Sequence, residues 1–93
     1  MTVGILTIAV HLPFSRSLKD KRQVIRSLKD RLRGRHNISL AEVDGQDLWQ
    51  RAVLGIVAVA SSRPPLEGMF QAILAEVEAQ IPGEITQREI DYI

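Results

Sequence analysis

Apolar and polar residues follow two different periods along this chain, and the two periods divide it into six segments. The first, residues 3–12, is rich in Val, Ile and Thr and stops at Pro13, which has no backbone N–H to donate. It is therefore predicted to be a strand. Because its residues are apolar on both alternating faces, we expect it in the middle of a sheet.

The second segment has the helical period. Ser17 is placed to cap the N-terminus of a helix, and Asp20 is the acidic partner that a capping box requires three residues later. Gly34 is predicted to end this helix. Between them, apolar residues recur at helical spacing at Leu18, Val24, Ile25, Leu28 and Leu32.

Four further segments complete the pattern. Residues 37–43 are predicted to form a second strand, Asp44-Gly45 a turn, and residues 49–60 a third and very apolar strand. After a break at residues 62–65, a second helix is predicted to run to Pro82-Gly83, with residues 84–93 as a final edge strand. The apolar positions of this second helix are Leu66, Met69, Phe70, Ile73, Leu74, Val77 and Ile81.

The order β-α-β-β-α-β predicts an α+β fold of the ferredoxin-like class. Short connections and right-handed crossovers favour a four-stranded antiparallel sheet with both helices on one face. The length of 93 residues provides for one hydrophobic core, so residues 1–93 are expected to form a single domain.

The face of the sheet without helices is predicted to be an interface. In a soluble monomer that face should be polar, yet both predicted central strands are apolar on both sides. The pattern does not decide which of the two alternating sets of side chains on the third strand faces the helices. Either choice leaves an aliphatic patch, which indicates a homodimer or larger assembly. The alternating sets are Leu6/Ile8/Val10 against Val3/Ile5/Ala9, and Leu54/Ile56 against Val53/Val57/Val59.

Composition narrows the class of protein. Hydrophobic residues make up 45% and charged residues 25% of the chain, which is typical of globular domains. There is no cysteine, which excludes a disulfide, a thiolate metal site and a cysteine nucleophile. The first residues lack the pattern of a signal peptide, and their apolar run is too short to span a membrane as a helix. We therefore expect a soluble, cytoplasmic protein that does not enter a membrane.

Charge is distributed very unevenly. Residues 16–35 contain nine basic and two acidic residues, a net of +7, whereas the rest contains three basic and nine acidic residues, a net of −6. A total of +1 therefore conceals a dipolar molecule. Five of the basic residues are spaced to share an arc of about 80° over about 21 Å of the first helix. This basic stripe consists of Lys19, Arg22, Arg26, Lys29 and Arg33.

The stripe has two interpretations. Basic residues solubilise an exposed helix, and pairs of Arg26 with Asp30 or of Asp30 with Arg33 would make it an ordinary solvated face. Alternatively, the stripe attracts phosphate backbones, and RNA or a ribosome is the partner. The asymmetry favours the second interpretation, because solubility alone is served by mixed charges.

A second group of chemically interesting residues lies in AEVDGQDLWQRA, residues 41–52. Its carboxylates do not have the spacing of a calcium loop, so no metal site is predicted. The favoured interpretation is a hairpin with Trp49 packed at its base. The alternative is that Trp49 stacks on a single-stranded base while Arg51 binds its phosphate.

No catalytic residues are predicted. His11 and His36 lie at the ends of predicted elements, and no serine–carboxylate pair can be placed beside them from the sequence. The segment HLPFSRS lacks the glycines of a phosphate-binding loop, so no cofactor is expected. The protein is therefore expected not to be an enzyme.

Two stretches resemble the YlxP-like family of small bacterial proteins: SRSLKDKR, residues 15–22, and AEVDGQDLWQRA. The resemblance covers nearly the whole chain. It implies a ferredoxin-like fold and a cytoplasmic protein often encoded beside genes for translation initiation and ribosome maturation, in a family of unknown function. Together with the stripe, it predicts a non-enzymatic RNA- or ribosome-associated binding domain. The alternative is a homo-oligomeric structural or small-ligand-sensing module without a nucleic-acid role.

Overall fold

A computed structural model describes all 93 residues and confirms the predicted order of elements. Four strands and two helices follow one another as βαββαβ, which is the ferredoxin-like arrangement. The elements are β1 (Thr2–His11), α1 (Leu18–Arg35), β2 (Ser39–Asp44), β3 (Arg51–Ala60), α2 (Arg63–Gln80) and β4 (Glu84–Tyr92).

The sheet has the strand order β2-β3-β1-β4, and every neighbouring pair is antiparallel. β1 and β3 are therefore the central strands, and β4 is an edge strand, as predicted. Leu6 pairs with Ile56 and Ile8 pairs with Leu54. Since these four side chains are fully buried, their face is the one that the helices cover.

This register decides which set of β3 meets the helices. Leu54 and Ile56 belong to the core with Phe70 of α2 and Leu32 of α1, whereas Val57 and Val59 on the other face are exposed. The helix-free face also carries Val43 of β2, which lies over Gly55. An aliphatic patch is thus present on the uncovered face. No helix of the protein is long and apolar enough to cross a membrane.

Several predicted boundaries shift by one to three residues. α1 continues through Gly34 to Arg35, and the backbone N–H of His36 caps it by donating to Leu32 O at 2.9 Å. α2 begins at Arg63, because its two prolines occupy the first turn, where a missing N–H breaks no helical hydrogen bond. β3 begins at Arg51, so Trp49 lies outside the strand.

The connection from α2 to β4 passes against the end of β1. A Cβ added to Gly83 would overlap the carbonyl oxygen of His11 and lie 3.2 Å from the Cα of Leu12. A side chain at this position would therefore displace backbone. Glycine here allows the chain to turn closely around the sheet end where β1 finishes and α1, β3 and β4 begin.

Candidate nucleic-acid interface

The basic stripe lies on the flank of α1 that borders β2. The N-terminus of the helix is fixed by Ser17, whose Oγ accepts a hydrogen bond from the backbone N–H of Asp20 at 3.1 Å. The Asp20 carboxylate accepts from the N–H of Arg16 at 3.0 Å, one residue before the position expected for a capping box. The stripe is about 110° around the helix from the buried residues, because side chains advance about 100° per residue. It lies beside the core face and not opposite to it.

A groove of about 220 Å³ runs between α1 and β2. Arg33 is anchored in it, because its Nη2 donates to the carbonyl oxygen of Leu40 at 2.7 Å. The other four stripe residues make no side-chain hydrogen bond within the protein. The groove is lined by Arg22, Ile25, Arg26, Lys29, Asp30, Arg33 and Glu42.

No residue of the stripe forms a salt bridge. The pairs of Asp30 with Arg26 and with Arg33, which a solvated face would use, are not formed within 4.0 Å. Four of the seven other Lys and Arg residues do have carboxylate partners: Lys21–Glu42, Arg35–Glu76, Arg63–Glu67 and Arg88–Glu78. Five of the eight Lys and Arg residues without a carboxylate partner thus share one side of α1.

The C-terminus of α1 is held to α2 by Glu76. His36 Nε2 lies 2.7 Å from Glu76 Oε2, and Arg35 Nη1 donates to Glu76 Oε1 at 2.9 Å. Burial alone raises the pKa of the Glu76 carboxyl. The hydrogen bonds and positive charges of His36 and Arg35 outweigh burial and lower the pKa below its ordinary value of 4.5.

Lys21 is fully buried and holds the loop between β2 and β3. Its Nζ lies 2.9 Å from Glu42 Oε2 and donates to the carbonyl oxygens of Gly45 at 2.7 Å and Gln46 at 3.1 Å. The carbonyl oxygen of Arg51 lies at 3.4 Å. Gly45 adopts a φ of 76°, in the left-handed region that favours glycine, and this turn directs the loop carbonyls toward Lys21.

Sequence reasoning missed Lys21, although the helical period contains a signal for it. Lys21, Ile25, Leu28 and Leu32 are spaced as one buried face of α1. A lysine on such a face must find enough acceptors to offset the loss of water. The contacts of Lys21 join the two stretches SRSLKDKR and AEVDGQDLWQRA, which are distant in sequence.

Trp49 does not pack at the base of the hairpin, so that prediction was wrong. Its side chain is 54% exposed, and the neighbouring Leu48 is 49% exposed. Lys21 holds the loop through the carbonyl oxygens of Gly45 and Gln46, and Trp49 lies between these residues and the start of β3 at Arg51. The ring is therefore available for contact with another molecule.

Trp49 and Arg51 are brought together, but they are separate from the stripe groove. Both line a shallow depression of about 400 Å³ with His11, Leu48 and Gln50. Arg51 pairs with His11 in the sheet register, on the face opposite the helices. The predicted site residues thus form two surfaces, one on the helix side of the sheet and one at its end.

The acidic residues of the same loop do not form a metal centre. No group of three or more histidines and carboxylates lies close enough to hold an ion. Glu42 is directed to Lys21, and Asp44 Oδ1 accepts the backbone N–H of Gly45 at 2.8 Å. The carboxylates therefore organise the turn.

Comparison with known proteins gives a family but no activity. Residues 3–90 match the family described as protein of unknown function, DUF503. The chain is 40% identical over 75 residues to the uncharacterized protein YlxP of Bacillus subtilis (strain 168), covering 78% of this chain and 82% of that protein. A solved structure, a de novo designed protein with a ferredoxin fold, aligns with a TM-score of 0.56 at 11% identity. It covers 100% of this chain and 83% of its own, and shows the fold alone.

Proposed function

We propose, for a chain that belongs to the DUF503 family of proteins of unknown function, a role as a non-enzymatic RNA- or ribosome-associated binding domain in the bacterial cytoplasm. In this proposal the basic stripe on α1 binds phosphates. The observation that carries it is the absence of any carboxylate partner for the five stripe residues, when four of the seven Lys and Arg residues elsewhere in the chain are paired. The lack of cysteine fits a reducing compartment.

The physical reason is the free energy of counterion release. Cations that are not neutralised within the protein can replace the counterions condensed on a nucleic acid, and the release of those ions favours binding. A cation that is already paired contributes less binding free energy, because its own carboxylate competes with the phosphate. A line of unpaired cations over about 21 Å is long enough to follow several phosphates of one backbone.

A pair of charge-matched variants tests the proposal. Arg22→Gln/Arg26→Gln neutralises the middle of the stripe, and Gln71→Glu/Ala79→Glu changes exposed residues of α2. Both lower the formal net charge by two, from +1 to −1. Binding of a labelled RNA stem–loop is followed by fluorescence anisotropy at several salt concentrations.

We expect affinity to fall only in the stripe variant. The slope of log affinity against log salt should decrease in magnitude by about 1.4–1.8, at roughly 0.7–0.9 per lost phosphate contact. Equal losses in both variants would mean that net charge alone attracts RNA. The absence of any salt-dependent binding by the unmodified protein would reject the proposal.

The second candidate is self-association through the helix-free sheet face. Val43, Val57 and Val59 are exposed there, and apolar side chains grouped on one surface are typical of an interface. Sedimentation equilibrium at micromolar concentration measures it, and we expect a dimer or larger assembly that Val57→Lys dissociates. A clean monomer mass for the unmodified protein would exclude this candidate and leave RNA binding by the stripe unaffected.

A further inference from the structure

One end of the sheet exposes two of the four aromatic side chains of the chain. Phe14 is 82% exposed in the loop between β1 and α1, and Trp49 is 54% exposed in the loop between β2 and β3. With Leu48 they form what is called here the end surface. Large apolar groups exposed together on one surface indicate a contact with another molecule.

The two loops of the end surface are tied to each other. Gln50 Nε2 donates to the carbonyl oxygens of Pro13 at 3.0 Å and Ser15 at 3.3 Å. The backbone N–H of Leu12 donates to Gln50 O at 2.8 Å, and Lys21 holds the second loop from below. Because the backbone that carries the rings is already ordered, binding there costs little conformational entropy.

Cations lie on both sides of the end surface. On the helix side, Lys19 and Arg22 begin the stripe in the first turns of α1, which start at this end of the sheet. On the other side, Arg51 lines a depression with Trp49. Two carboxylates lie at this end as well: Asp47 is in the loop that carries Trp49, and Glu84 Oε1 is 3.7 Å from His11 Nδ1.

We infer that the end surface stacks unpaired bases of single-stranded RNA, whose phosphates continue onto the basic stripe. This inference rests on the proposed function and names its substrate class. Aromatic rings bind bases that are splayed out of a helix, whereas the bases of a duplex are already stacked on one another. A flexible strand can also contact cations on two sides of the sheet end, and a stiff duplex cannot bend around it.

Trp49 provides a direct signal because it is the only tryptophan of the chain. Its fluorescence is measured while the full protein is titrated with single-stranded RNA of about 12 nucleotides, within the roughly 4–16 that one nucleic-acid-binding domain covers. A duplex of the same sequence is titrated in parallel. We expect saturable quenching by the single strand and little quenching by the duplex.

Three variants separate stacking from general apolar contact. Trp49→Leu removes the ring and should weaken affinity for the single strand about 5- to 150-fold, which corresponds to roughly 1–3 kcal/mol per stacked base. Trp49→Phe keeps a ring and should restore most of the affinity. Gln71→Ala, at an exposed residue of α2 outside the end surface, should change affinity less than about twofold. The salt slope should be the same in all three, because no phosphate contact is lost.

The outcomes distinguish this inference from the proposed function. Salt-dependent RNA binding that is insensitive to Trp49→Leu and causes no quenching would overturn the inference and leave the stripe proposal standing. Equal affinity and equal quenching with duplex would overturn it as well, as would equal losses in Trp49→Leu and Trp49→Phe. If the unmodified protein binds no RNA at any salt concentration, both proposals fail together.

Discussion

Replacing Lys21 by Met is expected to destabilise the fold strongly, although lysine is usually a tolerant surface residue. Methionine has a similar length and is apolar, so it fills the buried space between α1 and the β2–β3 loop. It provides no N–H donor. The Glu42 carboxylate and the carbonyl oxygens of Gly45 and Gln46 would lose their shared partner.

The size of the effect follows from these contacts. The Lys21 ammonium has three N–H groups, and the acceptors at 2.7, 2.9 and 3.1 Å use all three. The carbonyl oxygen at 3.4 Å therefore contributes little. Removing one partner of a buried charged pair typically costs about 3–5 kcal/mol. Because the Glu42 side chain is 18% exposed and can regain water, we expect the lower part, about 3–4 kcal/mol.

Urea denaturation followed by circular dichroism measures the free energy of unfolding. A loss of about 3–4 kcal/mol corresponds to a fall in Tm of about 12–30 °C for a domain of this size. Lys19→Met is the matched control, since Lys19 is exposed two residues earlier on the same helix. It should change stability by no more than about 0.5 kcal/mol.

Glu42→Gln tests whether the loop carbonyl oxygens bind Lys21 in addition to the Glu42 carboxylate. Glutamine keeps an acceptor oxygen for Nζ, so the expected loss is only about 1 kcal/mol, the difference between charged and neutral acceptors. A loss of less than about 1 kcal/mol in Lys21→Met would show that the lysine does not hold the loop. An equal loss in Glu42→Gln and Lys21→Met would show that the carboxylate alone holds the lysine.

Two further predictions concern the helix contact and the close turn. Because the pKa of Glu76 is lowered in the folded protein, its contribution to stability is present above the ordinary value of 4.5 and is lost as pH falls through the folded-state pKa. Glu76→Gln should therefore lower stability at pH 7 and flatten the acid limb of a stability–pH curve; an unchanged acid limb would contradict this. Gly83→Ala should destabilise by about 1–3 kcal/mol, because its Cβ meets backbone. Gly34→Ala, with open space around it, should stabilise by about 0.4–1 kcal/mol, and equal signs in thermal melts would contradict the packing argument.

The fold could be predicted because each element has a strong local signal. The alternation in β1 and the helical period of α1 depend on burial of many apolar residues, and a single exception does not change them. The face of β3 that meets the helices could not be predicted from the sequence, because both faces of this strand are apolar. The register that pairs Leu6 with Ile56, together with the burial of both side chains, shows which side the helices cover.

The arrangement of the candidate residues was predicted only in part, because some of them are positioned by contacts between residues that are distant in sequence. The stripe depends on spacing within one helix, so its alignment along α1 could be read from the sequence, whereas its use in binding stays a prediction. Trp49 lies in a loop that Lys21, 28 residues earlier in the chain, holds through the carbonyl oxygens of Gly45 and Gln46. Backbone acceptors carry no sequence signal, so this contact could not be predicted from the sequence.

Crosslinking in bacterial cells, followed by sequencing of the RNA bound to the protein, tests the central claim most directly. The unmodified protein is compared at equal expression with two variants, Arg22→Gln/Arg26→Gln and Gln71→Glu/Ala79→Glu. We predict recovery of ribosomal RNA above background for the unmodified protein and the α2 variant, and its loss in the stripe variant. Recovery no higher than background for the unmodified protein, or equal recovery from all three, would contradict the account.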